Sequence, residues 1–193
     1  MSLELSWIVS LILFALIVVF FIYQATKTDH AEVEKLVRDG LLQVQVGNDF
    51  EAIYLLERAL EILDHERSPD FSHKTSCIAH LANCYSKSGK YAEAKALYER
   101  LGSLWLSAID TGNPQAFLDI DYLASTVDLG SGTNDIIDCY PQIIAAKKQA
   151  LGNNHADVIN SLLIYSRLLY RLGRQDDAKK AQSEADELKS IGG

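Results

Sequence analysis

The chain has 193 residues and a formal net charge of −8, from 26 acidic and 18 basic residues. An acidic protein repels the phosphate backbone, so the composition argues against nucleic-acid binding. The cysteines are three, an odd number without close spacings, which favours a reducing compartment over a disulfide-stabilised fold.

The first predicted element is an apolar helix at residues 5–25. No charged residue occurs from Leu5 to Thr26, and about 20 apolar residues rise roughly 30 Å as a helix, the hydrocarbon thickness of a bilayer. The acidic Glu4 and the lack of an A-x-A pattern favour an uncleaved anchor over a signal peptide. The sequence therefore predicts a single-pass membrane protein with a transmembrane helix at 5–25, which contacts lipid, and a linker at 26–32.

The charges that flank this segment predict its orientation. Lys27, Lys35 and Arg38 follow the apolar run, whereas only the chain amine is positive before it. Lys and Arg accumulate on the cytoplasmic side of membrane segments. We therefore expect the C-terminal domain to be cytoplasmic, with the periplasm as the alternative.

Residues 33–191 repeat with a period of 42. Gly47, Gly89 and Gly173 each lie seven residues after a small residue and five before an alanine. A shift of 42 from the second set places a further copy around Ser131, which completes four units at about 33–66, 75–108, 117–150 and 159–191. Apolar positions keep the same register, as at Leu36, Ile78, Ile120 and Leu162.

Each unit is predicted to be a pair of antiparallel helices. In the second unit, an i, i+3, i+4, i+7 stripe of apolar and small residues runs from Ile78 to Tyr85, and a second stripe begins at Tyr91. Gly89 interrupts them because glycine readily ends a helix. The small residues indicate close helix approach, and stacked pairs would bury their apolar faces. In the third unit, Pro141 should kink the second helix.

These residues resemble the tetratricopeptide repeat (TPR) family. The resemblance rests on Ala82, Tyr85, the turn Gly89-Lys90-Tyr91, and then Ala94, Tyr98 and Leu101. The 42-residue spacing and the segment 151–158 are similar to the longer kinesin-light-chain variety. The resemblance implies an all-α, right-handed α-solenoid of about four helix pairs whose concave groove binds a protein or peptide partner.

The resemblance also implies which residues face that groove. The family's groove positions, transferred one at a time, fall on Arg38, His80, Asn83, Lys87, Tyr122, Asn160, Arg167, Tyr170 and Arg171. Asparagine can bond a peptide backbone and arginine can pair with carboxylates, although these residues could also be ordinary exposed polar positions. Val37 and Leu41 replace the lysine and asparagine of the family's carboxylate clamp, so chaperone-tail binding is not expected.

One helix carries four residues of metal-ligand type, His73, Cys77, His80 and Cys84. Residues 73 and 84 lie about 16 Å apart along a helix, so these side chains cannot converge on one zinc ion. The thiols are instead predicted to be buried apolar fillers, and neither a metal nor another cofactor is expected.

No catalytic motif is present in the sequence. There is no H-E-x-x-H and no G-x-S-x-G, and no predicted strand precedes the glycine-rich segment 130–133, which is interpreted as a turn. Neither an enzymatic activity nor a small-molecule substrate is expected. The sequence predicts a membrane-anchored scaffold that binds a partner protein. The alternative is a structural subunit or assembly factor of a membrane or envelope complex, using its anchor and convex face.

Overall fold

The computed structural model describes residues 2–66, 70–111, 114–126 and 134–191, without the side chains of residues 2–10, 12, 19–29, 114, 115, 118 and 134–136. In these ranges the chain forms helices and short turns, and no β-strand occurs. The helices are α1 (Ser2–Gln45), α2 (Asp49–His65), α3 (Phe71–Lys87), α4 (Tyr91–Asp110), α5 (Pro114–Thr126), α6 (Asn134–Leu151), α7 (Ala156–Arg171) and α8 (Gln175–Ile191). The prediction of an all-helical chain is confirmed.

The helices pack as stacked pairs. Helix α1 packs on α2, α3 on α4, and α7 on α8, while α2 also packs on α3, α4 on α6, and α6 on α7. The first helices of the pairs contact one another in chain order, α1 with α3, α3 with α5, and α5 with α7. These four helices therefore form one layer of the molecule, and their shared face holds the groove described below.

Glycines end the first helix of three pairs with the same geometry. Gly47, Gly89 and Gly173 have φ angles of 76°, 76° and 77°, a left-handed conformation that favours glycine. In each turn the next residue's N–H bonds to a carbonyl five residues earlier, as from Lys90 to Tyr85 at 2.9 Å. This pattern is a Schellman cap, so the predicted turns are confirmed at these three places. The turn predicted at 130–133 lies outside the described residues.

The small residues of the repeat lie where two helices of a pair approach closely. A Cβ atom added to Gly40 would lie 2.9 Å from two side-chain carbons of Leu56 on α2. In the fourth pair, Ser166 Oγ of α7 donates a 2.8 Å hydrogen bond to the backbone carbonyl of Ala178 on α8. Larger side chains at these positions would force the helices apart.

One apolar core runs through all the pairs. It includes the fully buried side chains of Leu56, Ile78, Leu101, Ile120 and Ile143. Helix α6 contributes to this core and continues through Pro141 from Asn134 to Leu151. Because neighbouring pairs share one core, each pair covers the apolar face of the next.

The structure of the N-terminal apolar segment contradicts the membrane anchor that the sequence predicted. Helix α1 is continuous over 44 residues, and residues 26–32 are helical within it. In the predicted span, the described side chains of Leu11 and residues 13–18 are all exposed. Among the described residues, no helix has both the length and the apolar character for crossing a membrane. The predicted membrane localisation, with its transmembrane helix at 5–25, is therefore wrong. The lipid contact assigned to that helix is not supported.

Candidate binding groove

An open groove lies on the layer of first helices, between α1, α3 and α5. Its volume is about 490 Å³. The side chains that line it are Glu34, Val37, Arg38, Leu41, Leu42, Gln45, Ser72, His73, Ser76, Asp119, Tyr122 and Leu123. The groove thus draws on the first three helix pairs.

The groove has an apolar base and polar edges. Val37 and Leu123 are 4% and 2% exposed and form part of the core, whereas Leu42 is 50% exposed. Acidic and basic side chains of the three helices stand beside these apolar groups. Such a surface can bury apolar side chains of a ligand and also bond its polar groups.

Two sets of hydrogen bonds fix the walls formed by α3 and α5. Asp70 caps α3, accepting a 2.8 Å bond from the His73 N–H, and the same carboxylate oxygen lies 3.3 Å from His73 Nδ1. Ser72 Oγ donates a hydrogen bond to the carboxylate of Asp119 on α5. The N-terminal turn of α3 is therefore tied to α5 across the groove.

Two of the sequence-predicted groove residues line this groove. They are Arg38 on α1, with a side chain 61% exposed, and Tyr122 on α5, which is 65% exposed. Both side chains are available to a ligand, since among the described residues Arg38 forms one ion pair, at 3.9 Å, with its neighbour Asp39.

Asn83 is buried between helices and is not available to a ligand. It is 5% exposed. Its Oδ1 accepts a 2.7 Å hydrogen bond from the Tyr98 hydroxyl on α4, and its Nδ2 donates a 3.0 Å bond to the carbonyl of Thr126 on α5. The amide therefore joins three helices and satisfies buried polar groups, a structural role.

His80 and Lys87 lie on α3 but do not line the groove. His80 is half-buried, and burial lowers its pKa below the ordinary 6.5, with a smaller contribution from the nearby Lys87 ammonium. Lys87 is exposed at the C-terminal end of the helix.

The four predicted residues of α7 do not line the groove either. Asn160, Arg167 and Arg171 are exposed. Tyr170, 67% exposed, lines a separate depression of about 400 Å³ between α7 and α8. The structure thus brings Arg38 and Tyr122 together and separates Tyr170 from them.

The sequence-based prediction missed most of the apolar lining. Leu41 and Leu42 lie beside the stripe of α1 that packs on α2, and two adjacent leucines at the edge of an amphipathic stripe were the available signal. Val37 and Leu41, at the family's clamp positions, both line the groove. Here the wall is apolar where a carboxylate clamp would be polar.

The cysteines of α3 are buried, as predicted. Burial raises the pKa of Cys77 to about 12, and burial together with the nearby Asp49 carboxylate raises the pKa of Cys84 to about 12. Thiols with such pKa values are protonated near neutral pH and are inert. In the described part of the chain, no cluster of three or more His, Cys, Asp and Glu side chains could hold a metal ion.

Solved structures that resemble this chain were found, although no protein-family model and no curated protein sequence matches it. A Podosopora anserina protein described as having kinesin light chain nearly identical TPR-like repeats has a TM-score of 0.59 and 17% identity, and the match covers 83% of this chain and 76% of that chain. A single-residue variant of that protein gives the same values. BtubC (BKLC) from P. vanneervenii has a TM-score of 0.55 and 18% identity, with coverage of 82% and 63%. At these identities the similarity bears on the fold alone, and the protein has a TPR-like, all-helical solenoid fold.

Proposed function

We propose that this protein is a non-catalytic scaffold that binds a segment of a partner protein in the groove between α1, α3 and α5. The observation that carries the proposal is the composition of the groove. Its apolar base and polar edges are open to solvent on the face formed by the first helices. The proposal keeps the predicted division of the repeat domain into four units, at about 33–66, 75–108, 117–150 and 159–191.

The apolar part of the groove supplies the affinity. Leu42 is half exposed, and Leu41 is partly buried beside it. Each Å² of apolar surface removed from water contributes about 25 cal/mol. A partner side chain that covers Leu41 and Leu42 would therefore stabilise the complex without any change in the scaffold.

The polar edges supply orientation. Arg38 can pair with a carboxylate, and the exposed Tyr122 offers a ring for packing and a hydroxyl for hydrogen bonding. Farther along the first-helix layer, Arg167 and Arg171 of α7 are exposed cations on an otherwise acidic protein. We assign them the binding of acidic groups of a longer partner segment.

A peptide selection tests this function. Peptides would be selected from a random display library against the protein, and their affinities measured by fluorescence anisotropy. Leu42→Glu and Tyr122→Ala should each weaken the best peptide at least about tenfold, which corresponds to 1.4 kcal/mol. Both residues are exposed, so neither variant should unfold the protein.

Phe50→Glu provides the matched control, on the second helix of the first pair. Phe50, on the second helix α2, is 84% exposed and does not line the groove. Affinity should be unchanged in this variant. If Phe50→Glu abolishes binding while both groove variants bind as the parent does, the partner uses the second-helix face, as a structural subunit would.

A further inference from the structure

Four polar side chains form a buried cluster where α5, α6 and α7 meet. Lys147 of α6 is fully buried, and its Nζ donates 2.8 Å hydrogen bonds to Asp121 Oδ2, the Phe117 carbonyl and Ser161 Oγ. Asp121 Oδ1 also accepts a 3.0 Å bond from the hydroxyl of Tyr140. All three ammonium donors are thus used inside the protein.

The corresponding positions of the other units are apolar. Lys147 lies 42 residues after Trp105 and 84 after Leu63, both fully buried core residues. Asp121 lies 42 residues after the fully buried Ala79. An apolar core is therefore available in this register, and burying an ion pair instead carries a large desolvation cost that its partners must offset.

The cluster adds directional bonds to the apolar packing of α5. The hydrophobic effect is non-directional, whereas hydrogen bonds weaken steeply when a helix rotates or shifts away from their preferred geometry. Lys147 bonds Phe117 and Asp121, which lie one turn apart on the same face of α5. These two bonds fix both the rotation and the height of this 13-residue helix against α6.

We propose that Lys147 is a positioning residue, whose buried bonds hold α5 in the orientation that forms the third wall of the groove. Asp119 and Tyr122, which line the groove, flank Asp121 in the sequence. A rotation of α5 that displaced Asp121 would move both of them. The inference goes beyond the binding function, because it concerns the orientation of a helix whichever molecule occupies the groove.

Thermal unfolding of single variants gives the first test. Lys147→Met leaves Asp121 buried without its ion-pair partner, and we expect the midpoint to fall by roughly 10 °C. Lys148→Met is the matched control, because the adjacent Lys148 forms only a part-exposed ion pair with Glu184. Its midpoint should change by no more than about 2 °C. An unchanged midpoint for Lys147→Met would overturn the proposal.

Amide hydrogen exchange separates orientation from stability. The triple variant Lys147→Met, Asp121→Leu, Tyr140→Phe replaces the cluster with apolar groups, and its midpoint should recover to within a few degrees of the parent. Exchange of α5 amides should nevertheless be at least about tenfold faster than in the parent, relative to α8, which contributes no residue to the cluster. Parent-like exchange in α5 would contradict a positioning role.

If the triple variant does not fold, a milder variant tests whether the cluster positions α5. Ser161→Ala removes one acceptor of Lys147 and one hydroxyl donor to Asp121, and it leaves the ion pair between Lys147 and Asp121 in place. We expect exchange in α5 to rise by about threefold without a large change in melting. Unchanged exchange in α5 would count against the proposal here as well.

Discussion

The fourth and third helix pairs are joined in different ways. Between α7 and α8, small residues let the backbones meet, and Ser166 Oγ bonds the carbonyl of Ala178 directly at 2.8 Å. Between α5 and α6, the long side chains of Lys147 and Tyr140 reach across to Asp121. One pair is held by short-range contact and the other by a buried network of charge and hydrogen bonds.

This difference shows what a repeat register specifies. Period-equivalent residues occupy equivalent places, since Ala124 of α5 is fully buried like Ala82 of α3. The register does not specify the interaction made there. Lys147 and Trp105 occupy equivalent buried positions, but one is a charged side chain and the other is aromatic. A buried charge can replace an apolar residue only where neighbouring units supply its partners.

A lysine introduced into the second pair, at the position equivalent to Lys147, tests this rule and should lower the stability more than any other substitution in this comparison. Trp105→Lys would place a lysine at the position equivalent to Lys147, whereas the position equivalent to Asp121 is Ala79, which has no carboxylate. We expect the free energy of unfolding to fall by roughly 5 kcal/mol, from lost packing and an unpaired buried charge. Urea denaturation measures it.

Trp105→Phe is the control for that substitution. The indole Nε1 is buried without a hydrogen-bond partner among the described residues, so phenylalanine loses volume but no bond. A cost of about 1–2 kcal/mol is expected. Equal losses in the two variants would show that charge is not the reason for the first result.

Adding one methyl group to the first pair tests how tightly small residues join helices. Gly40→Ala would bring Cβ within 2.9 Å of the fully buried Leu56. Overpacking should lower the free energy of unfolding by about 1–3 kcal/mol, although alanine favours the helix more than glycine does. Chemical denaturation compares it with the exposed Lys35→Ala, which should be nearly neutral. A more stable Gly40→Ala variant would contradict the close approach.

His80 extends the comparison to a half-buried group that forms no ion pair with a carboxylate in the part of the chain that the structure describes. Burial lowers its folded pKa below the ordinary 6.5, so the unfolded state binds the proton more readily. This contribution is present above pH 6.5 and is lost as the pH falls through the folded pKa. Melting midpoints between pH 7 and pH 5 should decrease less in His80→Gln than in the parent.

The exposed His30 supplies the control for that pH series. His30→Gln should retain the pH dependence of the parent. If His80→Gln and the parent lose stability in parallel, the half-buried imidazole is not the titrating group.

The smallest effect is expected for ion pairs at the surface between units. Asp64 pairs with Arg100, and Lys148 pairs with Glu184 in the same register with the signs reversed. All four side chains are partly exposed, and solvent screens such pairs. Glu184→Ala should lower the free energy of unfolding by no more than about 0.5–1 kcal/mol in thermal melts. A loss of stability as large as that of Lys147→Met would show that the surface ion pair contributes as much as the buried one, contrary to this comparison.

Much of the fold could be predicted from the sequence. Helix periodicity, the glycine turns and the small residues are local signals, and they predicted helix pairs correctly at Gly47, Gly89 and Gly173. The buried network could not be predicted, because Lys147 and Asp121 look like exposed charges until three helices come together. The predicted membrane anchor is wrong because, in the described part of the chain, no helix is both long enough and apolar enough to cross a membrane.

The groove was harder to predict than the fold. Family positions selected exposed polar residues, and Arg38 and Tyr122 do line the groove. Asn83 has the same residue type as a peptide-binding asparagine, yet it is buried against Tyr98 and Thr126. Whether a side chain faces a groove or the next unit depends on the packing of neighbouring helices, which residue type alone does not reveal.

A double-mutant cycle between Lys147 and Asp121 measures most directly whether charge joins the third pair. Lys147→Met, Asp121→Leu and the combined variant would be unfolded in urea, beside a control cycle between Lys148 and Glu184. We expect a coupling of about 3 kcal/mol in the first cycle and no more than about 0.5 kcal/mol in the control. Additive losses within about 0.5 kcal/mol in the first cycle would contradict the account.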